Sequence, residues 1–353
     1  MRADPSLPVA VMNDEKTPPQ GDTNRVAGVS LAALEGEAVV PNALAPVVVF
    51  AFRRPLETLQ TLWSLGRCPE ARDSHVYIYC DGSRGYDDEA GVRQTREVVA
   101  GQRWFANATI IERETNWGLA RSVVDGVTAA CSRHGRVIVV EDDLLVSSGF
   151  LRYMNHALGL FQEDARVMQV SGHSFPLEGG HLRRSPGLAR LLPVSTTWGW
   201  ATWSRAWRAY QAVPENLHLL DDERVSHAFD LDGAYGYTGM LRSAVSGRID
   251  SWGIRWWWSV FQRGGLVVFP FPTLVRNIGY GSVATNTNEV TGLLETVFNL
   301  DAQVGEWTET RLGDETVFAD WKRYIRSGTQ RGTWQVQAVR SAWDKLCTRL
   351  RSG

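Results

Sequence analysis

Cysteine is scarce in this chain. Cys68, Cys80, Cys131 and Cys347 are the only four in 353 residues, and they show neither CxxC spacing nor the density of a disulfide-stapled secreted fold. That excludes a zinc ribbon and a disulfide framework, and the four read as reduced, partly buried thiols of a cytosolic protein. An excess of charge of one sign is also absent. The 37 Lys and Arg against 39 Asp and Glu leave a formal net charge of −2, with a pI near 6.4. Nucleic-acid binders need a dominant basic face, so polynucleotide partners are excluded. No apolar run reaches the roughly 18 to 20 residues that span a bilayer, and the N-terminus lacks the basic-then-apolar order of a signal peptide. The expectation is a cytoplasmic protein, peripheral at the inner face of a membrane at most.

What the chain does have is an apolar run that stops abruptly in acid, Arg136-Val137-Ile138-Val139-Val140-Glu141-Asp142-Asp143. An unbroken, largely β-branched run reads as a strand buried on both faces, the kind found in parallel sheets covered by helices. Its acids therefore fall at the strand's C-terminal edge, where open α/β sheets bind ligands. Adjacent carboxylates repel unless something positive lies between them, usually a divalent cation. The plain alternative is an acidic, solvated turn. Tryptophan is the second excess. There are 15, many in two clusters, Trp198/Trp200/Trp203/Trp207 and Trp252/Trp256/Trp257/Trp258. A flat apolar face with one donor suits stacking on sugar C–H faces, and it suits a bulky core equally.

Residues 1–43 mix Pro5, Pro8, Pro18, Pro19 and Gly21 with scattered charge and no sustained period, and read as a mobile leader. Pro46 to Phe52 reads as a short buried strand, followed by Arg53-Arg54-Pro55 and a helix bearing Leu56, Leu59, Leu62, Trp63 and Leu65. Further strands are expected at His75–Cys80, ending in Asp81-Gly82-Ser83, and at Ala108–Arg113, which leads through Asn116-Trp117-Gly118 into a helix carrying Val123, Val124 and Val127. Val167–Val170 and Leu266–Pro270 extend the set, residues 252–261 form a tryptophan-rich helix, and 178–191 form a loop. Strand and helix alternating at short spacing imply a doubly wound, mostly parallel α/β sheet with its ligand at the strands' C-terminal ends. The tail 331–353 reads as an amphipathic helix with Val336, Val339, Trp343, Leu346 and Leu350 on one face. It packs on the domain, or it lies on an anionic membrane surface.

Taken together, Asp81-Gly82-Ser83, Arg113-Glu114-Thr115-Asn116-Trp117-Gly118-Leu119-Ala120, Val139 to Leu144, Gly149 to Met154, Trp198-Gly199-Trp200 and Asp250 to Trp256 resemble bacterial glycosyltransferases of the GT-A fold. The pattern is similar to family 2 enzymes and to N-acetylglucosaminyltransferase I, and it runs from about Val47 to about Thr287 inside an expected domain of residues 44–330. The resemblance implies transfer of a sugar from a nucleotide-sugar donor, UDP-linked, to a glycan or lipid-linked acceptor. It assigns Glu141, Asp142 and Asp143 to a divalent metal, manganese or magnesium, with Asp143 the direct ligand and Asp142 shared with the ribose. Asp81 and Arg53 would contact the nucleotide, and Asn116 and Gly118 would face the donor sugar or cap their helix. Trp198, Trp200 and Trp252 would line the acceptor or sugar site. Inverting displacement needs a general base, for which Asp250 is the candidate against a reading as helix N-cap. Asp221-Asp222-Glu223 is a second acidic cluster that could serve instead.

One departure concerns the metal. Related sequences carry a histidine after the Asn-Ile-Gly-aromatic stretch, whereas here Asn277-Ile278-Gly279-Tyr280 is followed by Ala284-Thr285-Asn286, so Asn286 takes the place of an imidazole ligand. Two other functions compete with transfer. A sugar-nucleotide nucleotidyltransferase would share the sheet and the acids but would need a glycine-rich phosphate loop, and Phe52-Arg53-Arg54-Pro55 has no glycine. A non-catalytic carbohydrate-binding protein on the same fold would account for the aromatic clusters.

Overall fold

The structure is a computed structural model, and it describes residues 22–27, 44–175, 190–279, 298–303, 311–312 and 315–327. In chain order its elements begin with β1 (Asp22–Ala27), β2 (Val47–Ala51), α1 (Pro55–Gly66), β3 (His75–Cys80), α2 (Tyr86–Gly101), β4 (Asn107–Glu112), α3 (Leu119–His134) and β5 (Arg136–Glu141). There follow β6 (Leu144–Val146), α4 (Phe150–Leu160), β7 (Val167–Ser171), β8 (Arg190–Leu192), β9 (Trp200–Trp203) and α5 (Ser204–Trp207). The last are α6 (Glu223–Phe229), α7 (Tyr237–Val245), α8 (Trp252–Phe261), β10 (Leu266–Phe269), β11 (Val275–Asn277) and β12 (Arg311–Leu312), then a helix over 315–327, α9.

Each of β2, β3 and β5 is a nearly continuous apolar run, and each is buried along its length, as strands covered on both faces must be. They pair in parallel, Val49 opposite Ile78 on one side and Val140 on the other. The ten-stranded sheet runs β1-β4-β3-β2-β5-β9-β7-β10-β8-β12. From β1 to β5 every pair is parallel; β9 then enters antiparallel between β5 and β7, with Val139 opposite Trp200. This is the doubly wound, mostly parallel α/β architecture that the GT-A resemblance implied. Because β2, β3 and β5 run the same way in register, their ends at Ala51, Cys80 and Glu141 share one edge. The segments that follow them meet there.

Two expectations need correction. Residues 22–27, inside the stretch read as a leader without structure, form an edge strand parallel to β4. Such pairing is set by a distant partner, which local composition does not reveal. The expected loop 178–191 ends in β8, since Arg190 and Leu191 pair with Phe269 and Val268. The C-terminal segment 331–353 lies outside the described residues, as does Cys347. The other three cysteines are buried free thiols; burial pushes Cys68 and Cys131 up to about 12, which leaves them unreactive. No described helix is long and apolar enough to cross a membrane.

Most of the tryptophan excess is core. Trp200, Trp256 and Trp258 are fully buried, Trp200 stacks on Trp252 with centroids 5.1 Å apart, and Trp256 donates from Nε1 to Gln169 Oε1 at 3.1 Å. Replacing Trp256 by alanine removes a large buried ring and leaves the Gln169 amide oxygen without that donor. The expected loss is about 3 to 5 kcal/mol of unfolding free energy, measured by urea titration.

Candidate active site

The strand ends build a cleft of about 540 Å³ lined, among others, by Phe52, Arg54, Asp81, Asn116, Gly118, Glu141, Asp142, Asp143, Trp198, Asp250 and Trp252. A more open groove of about 880 Å³, between Glu215, Leu219, Asp222 and Phe261, touches none of the strand ends. The first is the candidate site. At its floor Asp142 Oδ2 accepts from the Phe52 backbone N–H at 2.9 Å. Arg54 Nη1 donates to Asp143 Oδ2 at 2.6 Å and lies 3.8 Å from Asp142 Oδ1. Asp143 is further held through its carbonyl, which accepts from Ile278 N–H at 2.8 Å, because β11 pairs antiparallel with β6 immediately after the acids. Gly279 presses so closely on the carboxylate that a Cβ there would overlap Asp143 Oδ2. The Asn277-Ile278-Gly279 stretch thus reaches the acids as expected, whereas Asn286 lies outside the described residues.

Burial and mutual repulsion strain this cluster. Burial first and the Asp143 charge second push Asp142 up to about 7; burial, then Asp143 and Asp142, hold Glu141 well above the usual carboxylate range. Asp143 is also raised by burial, against the lowering effect of Arg54. Asp143 Oδ1 is a buried carboxylate oxygen without a hydrogen-bond partner among the described residues. Among those residues no group of three His, Cys, Asp or Glu is arranged to hold a metal by itself. Hard oxygens with unmet demand for positive charge, too few for a closed cage, fit a magnesium- or manganese-type ion that takes one or two carboxylates and completes its shell from phosphate and water.

The sequence singled out Arg53, but the structure turns that side chain away. Arg53 Nη1 pairs with Asp88 Oδ1 at 2.6 Å, and Asp88, which also takes Arg84, is held down at about 2 mainly by the Arg84 hydrogen bond. Arg54 is the arginine on the acids. Two neighbouring arginines after a strand point in different directions, and sequence does not say which faces the edge.

Asp81 sits at the end of β3, 9 % exposed. Its Oδ1 accepts from Gly82 N–H at 3.0 Å and Trp117 N–H at 2.9 Å, and its Oδ2 accepts from Gly118 N–H at 3.0 Å. It therefore anchors the 116–118 loop as well as lining the cleft. Asn116 does not cap α3: its Nδ2 donates to the Gly82 carbonyl at 2.8 Å, and the N-cap is Gly118, at φ 76° with no side-chain cap bond. The two loops lie in direct contact. A Cβ on Gly82 would lie 2.5 Å from the Thr115 carbonyl carbon, and backbone cannot yield as a flexible side chain can. Gly82→Ala is expected to destabilise the protein by about 1 to 3 kcal/mol, read as a lowered Tm.

Asp250, which also lines the cleft, is exposed at its side chain (66 %) with Arg255 Nη1 3.9 Å from Oδ1. Its Oδ2 lies 3.6 Å from where a Gly118 Cβ would stand, which sets it over the loop anchored by Asp81. The N-cap of α8 is Ser251, so Asp250 is not the capping residue. Trp198 and Trp252 line the cleft, but Trp200 does not. It points from β9 into the core, where a strand buried on every side hides the period-2 signal. Of the second acidic cluster, Asp222 caps α6 by accepting from Arg224 N–H at 2.8 Å, and Asp221 pairs with Arg242 at 2.9 Å. Neither reaches the cleft.

Sequence reasoning missed His173. It follows β7 at the same sheet and lines the cleft, and the available signal was its place just past an apolar strand. It is 2 % exposed, and burial pushes the imidazole from 6.5 down to about 3. Below about pH 6.5 the unfolded chain binds a proton there that the folded one does not, so the His173 contribution to stability falls as pH drops from 6.5 towards 3. His173 contributes a slope of about 1.4 kcal/mol per pH unit in that window, opposed there by Asp142 and Glu141, whose raised values make the folded state bind more protons as pH falls; the His173 part is read as the difference between wild type and His173→Phe in urea-unfolding curves taken at pH 7, 6 and 5.

No protein-family model and no curated protein sequence matches the chain. Among solved structures it is similar to S. aureus TarS 1–349, at 17 % identity over 51 % of this chain and 49 % of that one with TM-score 0.30. It is similar to GalNAc-T7 solved with UDP, GalNAc and Mn2+, at 10 % identity over 69 % and 47 % with TM-score 0.39. A longer S. aureus TarS structure matches at 12 % identity over 65 % and 36 % with TM-score 0.33. The chain spans less than half the length of each of these structures.

Proposed function

We propose that the protein is a glycosyltransferase that moves a hexosyl or N-acetylhexosaminyl group from a UDP-sugar to a glycan or glycolipid acceptor, by metal-assisted, inverting direct displacement. The observation that carries this reading is one cleft at the strands' C-terminal edge that gathers Asp81, Glu141 to Asp143, Asp250, Trp198 and Trp252. Asp81 and the loop it anchors form the nucleotide end, with Asn116 and Gly118 facing the donor sugar. Asp143, with Asp142 Oδ1 beside it, would hold the divalent ion, which when bound supplies Lewis-acid neutralisation of the departing diphosphate. Arg54, already on these carboxylates, adds fixed positive charge at the same point. Asp250 is the general base: its exposed carboxylate lines the same cleft, and it would take the acceptor hydroxyl proton on the face opposite the leaving group. Trp198 and Trp252 supply apolar walls for sugar rings.

The reading takes residues 44–330 as the catalytic domain and places its work in polysaccharide or glycoconjugate biosynthesis on the cytoplasmic side. The segment 331–353 is its candidate membrane contact. Calorimetric titration of UDP into the protein, with and without Mn2+, tests the reading. Binding that tightens with Mn2+ is expected, and absence of UDP binding under both conditions overturns it.

A further inference from the structure

Arg54 Nη1 stands between two carboxylates, 2.6 Å from Asp143 Oδ2 and 3.8 Å from Asp142 Oδ1. The other oxygen of Asp143, Oδ1, is sealed from solvent and has no hydrogen-bond partner among the described residues. Asp143 lines the cleft, so a cation arriving from the cleft reaches its carboxylate through Oδ2, the oxygen that Arg54 holds. Gly279 is packed so tightly against that oxygen that a Cβ there would overlap it, which narrows the approach further. A magnesium-type ion sits about 2.1 Å from its oxygens, closer than the guanidinium nitrogen does. Two positive groups on one side of one oxygen repel each other at short range.

The rest of the position does not depend on Arg54. Asp142 Oδ2 accepts from Phe52 N–H at 2.9 Å, and the Asp143 carbonyl accepts from Ile278 N–H at 2.8 Å, so backbone donors keep both acids in place. The backbone of Arg54 is equally fixed, because its carbonyl accepts from Thr58 N–H at 2.9 Å where Pro55 opens α1. Only its side chain reaches the acids, on a flexible stem whose rotamers can carry the guanidinium away without moving helix or strand.

We propose that Arg54 is the resident counter-ion of Asp142 and Asp143, and that a divalent ion binds there only by displacing the guanidinium from Asp143 Oδ2. Arg54 thereby sets how weakly the free protein holds the ion. The inference rests on the metal assignment of the glycosyltransferase reading and adds an exchange to it. One positive group leaves as another enters, so the buried acids keep a counter-charge in both states.

Titration of Mn2+ into the full chain without nucleotide, with free Mn2+ followed by electron paramagnetic resonance, tests the exchange. Arg54→Met removes the competing charge and is expected to bind Mn2+ roughly 10- to 100-fold more tightly than wild type, the range that loss of one charge-assisted hydrogen bond implies. Arg54→Lys keeps the charge on a shorter stem without the planar fork. It should gain by a smaller factor, and it decides the question if Arg54→Met does not fold. Arg53→Met, which removes the arginine paired with Asp88 at 2.6 Å, should match wild type. A substitution that only loosened the site would weaken Mn2+ binding instead. Affinity unchanged or weaker in the folded Arg54 variant, an equal gain in Arg53→Met, or no Mn2+ binding by any of these proteins overturns the inference. UDP binding by the same samples tests the transferase reading separately. UDP bound without the Arg54 effect leaves that reading standing and removes the exchange, and the Arg54 effect without UDP binding leaves the exchange and removes the transferase reading.

Discussion

Replacing Asp143 by alanine is expected to lower kcat by about 10³-fold, because several kcal/mol of leaving-group stabilisation at the diphosphate depend on it. Asp143 is held on several sides. Arg54 holds one oxygen at 2.6 Å, Ile278 holds the carbonyl, Gly279 leaves no room for the side chain to move aside, and the other oxygen is buried and unpaired. The arrangement leaves one carboxylate oxygen without a protein partner at a fixed point. Asp143→Asn keeps the shape and loses the charge, so it should fall nearly as far as the alanine variant. Asp221→Asn, in an exposed pair with Arg242, should leave turnover unchanged. The readout is steady-state UDP release at saturating Mn2+, and undiminished release from Asp143→Ala would remove the metal assignment.

The second large effect is expected at Asp250. General-base catalysis contributes about 10²- to 10⁴-fold, and Asp250→Asn removes the basicity while keeping the size. The carboxylate is exposed, with Arg255 Nη1 3.9 Å from it, and it supports no helix end, since Ser251 occupies that position. Loss of kcat should therefore come with unchanged Tm and unchanged UDP affinity. Normal turnover would eliminate the assignment, and turnover lost together with Tm would mark a structural role instead.

Much of the fold is legible in the sequence because its central strands are locally encoded. The runs read at 46–52, 75–80 and from 136 up to the acids become strands at 47–51, 75–80 and 136–141, and the tryptophan-rich helix occupies 252–261. What local pattern does not carry is non-local pairing. The insertion of β9 between β5 and β7 and the edge position of residues 22–27 depend on distant partners. The same limit separates the site residues. Asp81 and the acids were legible because parallel strands deliver their C-terminal neighbours to one edge. Trp200 was misread because all four residues of β9 are buried, and Arg54 was passed over for Arg53 because the direction of a loop side chain is a tertiary property. His173 gave no periodic signal, because it lies in the irregular segment just after β7.

The most direct measurement is incubation of the protein with a panel of UDP-sugars and Mn2+, with UDP release followed continuously and the sugar product identified by mass spectrometry. Release is expected from at least one donor, faster with a glycan or glycolipid acceptor present and lost in Asp143→Ala and Asp250→Asn. No release from any UDP-sugar, with or without acceptor, by protein that binds UDP and Mn2+ would contradict it.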